Sequence, residues 1–69
     1  MSFFITVYNI TDEQAYKLWS DHKTDKIHCL AFEGKAHING EADKAAVEAI
    51  IADIKALGKE YGIVSEELM

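Results

Sequence analysis

The sequence has no proline, no arginine, a single cysteine and only four glycines among its 69 residues. Each scarcity excludes something. Without proline there is no fixed kink, so helices end where a cap, a glycine or the apolar pattern ends them. With Cys29 alone, no intramolecular disulfide can staple the chain, and a reducing compartment, the cytoplasm, is expected. All seven basic residues are lysine and the net charge is −5. The planar fork that grips phosphates and guanine edges is therefore missing, and direct nucleic-acid binding is not expected. The N-terminal apolar segment, Phe3 to Ile10, is broken by Thr6 and Asn9 and follows no basic region. It reads as neither a signal peptide nor a membrane span. Asn9-Ile10-Thr11 matches the glycosylation sequon, and is expected to be a chance match because secretion is not expected.

What is present is apolar content, at 49% hydrophobic residues, too much for a disordered tail. The length predicts one compact domain over residues 1–69. A chain this short buries only ~60% of its unfolded surface, so surplus apolar area favours self-association or a partner. The charge is uneven. Residues 1–35 carry four Lys and five Asp/Glu, and residues 36–69 carry three Lys and seven Asp/Glu. The second half repels nucleic acid and suits a basic protein surface.

Phe3 to Ile10, rich in aromatic and β-branched residues, predicts a strand. Thr11-Asp12-Glu13-Gln14 predicts a capping box, with Ile10 and Ala15 as a weak staple. A helix then runs to about His22, with Ala15, Leu18, Trp19 and His22 on its inner stripe. Ile27 to Phe32 predicts a second strand. Glu33-Gly34 fits a two-residue turn, and Lys35 to Ile38 returns as a third strand. Asn39-Gly40 is read as the opening of a second helix, with Glu41 and Asp43 near its positive end. That helix is expected to reach about Tyr61, with Gly58 inside it and Gly62 as its left-handed cap. Residues 63–69 form a short fourth strand or fray.

The order strand, helix, strand, strand, helix and a possible final strand is the split βαβ pattern. It predicts a small α+β two-layer sandwich of β-α-β-β-α(-β) type, ferredoxin-like or a truncated version. Two helices would cover one face of an antiparallel sheet.

Such a sheet leaves its other face bare. Strand alternation points Phe3, Ile5 and Val7 inward and Phe4, Thr6 and Tyr8 outward. A two-residue turn puts Ile27, Cys29, Ala31, Ala36 and Ile38 on the inner face. His28, Leu30, Phe32, Lys35 and His37 then fall on the outer one. Phe4, Tyr8, Leu30 and Phe32 are thus candidates for a partner-binding cluster. A second candidate is a stripe on the second helix. Ala45, Ala49, Ala52 and Ala56 share one face, opposite Val47, Ile50, Ile54, Leu57 and Tyr61. Glu48, Lys55 and Lys59 border this lane of methyl groups on one side, and Asp53 and Glu60 on the other. The lane suits close approach by a helix.

Chemistry-bearing patterns are sparse. His22, His28, His37 and Cys29 are the only soft metal-ligand candidates. His28 and Cys29 point to opposite faces, and His28 with His37 makes two ligands where a structural zinc wants four. His22 is expected to pack at the core edge beside Trp19. Ser20 and His22 diverge on a helix, and so do the adjacent pairs Asp12-Glu13 and Glu66-Glu67 in regular structure. No metal, cofactor or catalytic site is expected, and the chain is read as no enzyme. The function expected from these features is that of a cytoplasmic protein-binding domain, a homodimer or bound to a protein partner. It contacts neither nucleic acid directly nor membrane. Its acidity suits an inhibitor of the phage or mobile-element type, occluding a nucleic-acid-handling enzyme with carboxylates in place of phosphates. The alternative is a small-ligand or metal-binding regulatory module acting as a homodimer.

Overall fold

A computed structural model describes residues 1–65 of the chain. The elements follow in the order β1 (Ser2–Tyr8), α1 (Asp12–His22), β2 (Ile27–Phe32), β3 (Lys35–Glu41), α2 (Lys44–Ala56) and β4 (Tyr61–Ser65). The strands form one antiparallel sheet in the order β2-β3-β1-β4. Each helix connects two strands that are separated in the sheet by a third, which is the ferredoxin-like arrangement. Among the described residues no helix is long and apolar enough to cross a membrane.

Local chemistry explains most boundaries. Asn9, at φ +54°, turns the chain out of β1, so the strand stops at Tyr8 and not at Ile10. The capping box forms as expected. Thr11 Oγ1 accepts from the Gln14 amide at 3.1 Å, and the Thr11 amide donates to Gln14 Oε1 at 3.2 Å. Ile10 and Ala15 are buried on either side of that cap. Glu33 and Gly34 have φ of +53° and +77°, the positive values that a type I′ hairpin turn requires. Phe32 therefore pairs with Lys35, and the whole β2–β3 register follows.

The second helix departs from expectation at both ends. Asn39-Gly40 does not open it. Both residues continue β3, and the cap is Asp43, whose Oδ1 accepts from the Ala46 amide at 2.8 Å. The reason is at Gly40. Its φ of +146° lets the backbone swing against the turn before β2, where the Glu41 amide donates to the Lys26 carbonyl at 3.1 Å. A Cβ there would sit 1.8 Å from that carbonyl oxygen. At its far end the helix stops at Ala56 and does not reach Tyr61. Gly58, not Gly62, is the left-handed residue, at φ +71°. Its amide donates to Lys55 O at 3.0 Å and the Lys59 amide donates to Ile54 O at 3.3 Å, the paired bonds of a Schellman motif. Stopping early frees Tyr61–Ser65 to pair with β1 as the fourth strand. The rest of the expected 63–69 segment lies outside the described residues.

The core lies between the layers. Phe3, Ile5, Val7, Ile27, Ala36 and Ile38 face inward from the sheet. Ala15 and Leu18 of α1 and Val47, Ile50 and Ile54 of α2 close on them. Leu57 is not part of this stripe; as the C-cap it is exposed. Tyr61 reaches the core as a strand residue, half-buried.

Candidate functional site

Because both helices lie on one side, the other side of the sheet is uncovered. The register sets its rows. Lys35 lies between Phe32 and Tyr8; His37 lies between Leu30 and Thr6; Asn39 lies between His28 and Phe4. Val64 and Gly62 of β4 extend the Phe4 and Thr6 rows. Four of the proposed contact residues are exposed here, Phe4 at 44%, Tyr8 at 39%, Leu30 at 58% and Phe32 at 43%. Val64, at 55%, belongs to the same face; local pattern does not mark it, because its strand exists only if α2 ends early enough to free it.

His37 organises the centre. Its ring centroid lies 5.4 Å from that of Phe4 and 5.6 Å from that of Phe32. Its Nδ1 shares a hydrogen bond with Thr6 Oγ1 at 3.1 Å, which fixes the imidazole on the sheet. At one end, Lys35 Nζ lies 5.8 Å from the Tyr8 ring centroid, a cation–π distance. The result is a ring-rich surface in which the His37 imidazole is hydrogen-bonded and Lys35 stands at one end.

The alanine lane exists as a surface. Ala45, Ala49, Ala52 and Ala56 are all exposed on α2. Its borders differ from expectation. The helix ends before Lys59 and Glu60, so neither flanks the lane; Glu60 instead leads into β4, its carbonyl accepting from the Tyr8 amide at 2.9 Å. Asp53 does flank it, but its carboxylate is engaged. Asp53 Oδ2 lies 2.5 Å from His22 Nε2, tying α2 to the last turn of α1. His22 therefore does more than pack beside Trp19, whose indole donates to Ile27 O at 3.0 Å. No sequence pattern marks a contact across 31 positions before the helix pairing is known. The two helices also flank a groove of about 250 Å³, with Leu18, Ala56 and Leu57 on its walls and Lys17 and Asp21 at its rim. Lys17 and Asp21 pair with each other at 3.3 Å.

As chemistry, these groups do not converge. Among the described residues no three metal-ligating side chains come together. His28 and His37 share the outer face on adjacent strands, whereas Cys29 faces inward. Burial pushes the Cys29 thiol above its ordinary pKa, which keeps it protonated and weakly nucleophilic at neutral pH. The His22–Asp53 pair is a base with an orienting carboxylate. Ser20 and Thr24, the hydroxyls nearest in sequence, each lie two positions from His22; that spacing separates Ser20 from it around the helix, and Thr24 Oγ1 accepts from the Lys26 amide at 3.2 Å.

The chain matches no family model, no curated protein and no solved structure.

Proposed function

We propose that this chain is a non-enzymatic protein-binding domain whose principal contact surface is the bare side of the sheet. One observation carries the reading. Phe4, Tyr8, Leu30, Phe32 and Val64, drawn from all strands but β3, form an exposed cluster around the fixed His37 ring. Large side chains with few rotatable bonds supply contact area at low entropic cost. The negative field and the absence of arginine favour a protein over a nucleic acid on these rings. Apart from Glu41 at the end of β3, exposed carboxylates carried by strands and helices lie on the helical layer, among them Asp12, Glu13 and Asp21 on α1 and Glu48 on α2. The helical layer thereby offers a second, charge-based surface to a basic target. A domain held in this way acts by occlusion, as an inhibitor of a nucleic-acid-handling enzyme would.

The test is affinity capture by the tagged chain at low salt, scoring every retained protein, an untagged copy of the chain included. Leu30→Glu, which puts a charge on the most exposed large apolar side chain of this face, is expected to cost at least about tenfold in retention, while Ala49→Glu retains the same protein. Retention of nothing by the parent, or loss with Ala49→Glu but not with Leu30→Glu, contradicts the reading.

A further inference from the structure

We infer that the occupant of the bare sheet face is a second copy of this chain, stacked face to face about a two-fold axis. The axis lies in the interface and runs across the strands. The inference rests on the protein-binding reading above and names the partner.

The area suffices. Four strands about 4.8 Å apart and about 20 Å long present on the order of 600 Å² per copy once side-chain relief is counted. Two copies then bury roughly 1,200 Å², where specific interfaces begin.

Self-complementarity singles out the second copy. A two-fold axis across the strands keeps each strand over its own counterpart and reverses its direction. Pairing is then set by the rows. Lys35 and Glu41 occupy opposite ends of β3, at register positions on the same face. Reversal places each Lys35 over the other copy's Glu41, making two ion pairs at the ends of the contact. Phe4 falls over Thr6 and Val64 over Gly62, large on small, because those residues are neighbouring rows of one strand. A Cβ on Gly62 would meet nothing within 4 Å, so the hollow is open. The other axis, along the strands, sets the two lysines side by side at one end and both glutamates at the other. Charge therefore selects the reversed arrangement. The stack also keeps the acid-rich helical layers on opposite outer sides, where the repulsion of two chains of net charge −5 is least.

Sedimentation equilibrium from micromolar to near-millimolar protein tests the proposal, with helix content followed by circular dichroism. The parent is expected to approach twice its 7.7 kDa mass. Leu30→Glu is expected to stay monomeric with unchanged helix content, since its side chain contributes nothing to the core. Lys35→Glu and Glu41→Lys are each expected to weaken the dimer about tenfold, and the double swap to recover it to within about threefold. A monomeric parent overturns the second-copy proposal. If that monomer still captures another protein through Leu30, the protein-binding reading stands without it. Binding of a single-stranded oligonucleotide by the monomer, lost in Leu30→Glu, overturns both. A dimer that the double swap fails to recover overturns the reversed stack.

Discussion

Gly40→Ala is expected to remove most of the stability of the domain. The new methyl would lie 1.8 Å from the Lys26 carbonyl oxygen, which is backbone and has no rotamer to retreat into. The φ of +146° is also nearly closed to any residue with a side chain. That conformation costs about 1–3 kcal/mol on its own. Relief of the clash must also break the Glu41 amide bond to Lys26, worth about 1 kcal/mol. A domain of this length holds roughly 3–10 kcal/mol in total. Urea denaturation is the check: the midpoint is expected to fall by half or more. A midpoint within experimental error of the parent would mean that β3 does not press against the turn before β2.

Ile5→Ala is expected to be nearly as damaging for a different reason. Ile5 is fully buried on β1, a central strand, and pairs with Ile38 on one side and Ile63 on the other. Truncation leaves a cavity between two sheet neighbours and the helices above, and such changes cost about 2–5 kcal/mol. The sheet cannot collapse into the space without losing register on both sides. Thermal or urea unfolding is expected to show the loss with the fold retained at low temperature. A cost below about 0.5 kcal/mol, the range of ordinary surface positions, would contradict the placement of Ile5 at the centre of the core.

These two positions mark what could and could not be read from the chain. Ile5 was legible, because strand alternation sets Phe3, Ile5 and Val7 on one face, more uniformly apolar than the face of Phe4, Thr6 and Tyr8. The capping box at Thr11 and the turn at Glu33-Gly34 were legible for the same reason: their chemistry is local, within four residues. The outer positions of β2 and β3 then followed from the turn, and those of β1 from alternation. Gly40 was not legible. Asn-Gly before an acidic pair looks like a helix start, and only the approach of the Lys26 carbonyl shows that the glycine is spent on a tertiary contact. The end of α2 was misplaced because Gly58 and Gly62 both fit as caps. The choice depended on β1 offering an open edge to Tyr61–Ser65, a long-range fact. Moving that boundary by five residues removed Glu60 from the alanine lane and added Val64 to the sheet face. The His22–Asp53 contact was hidden likewise, since it depends on how two helices pack and not on either helix alone.

The central claim is that the uncovered side of the sheet is a contact surface for a second copy of this chain. Hydroxyl-radical labelling across a dilution series, read residue by residue, tests it most directly. Tyr16 and Leu57, exposed at 48% and 42% on the helical side, serve as internal controls. With rising protein concentration, Phe4, Tyr8, Leu30 and Phe32 are expected to become protected while Tyr16 and Leu57 label as before. Protection of Tyr16 and Leu57 with the sheet residues unchanged, or labelling of all six independent of concentration, would contradict the account.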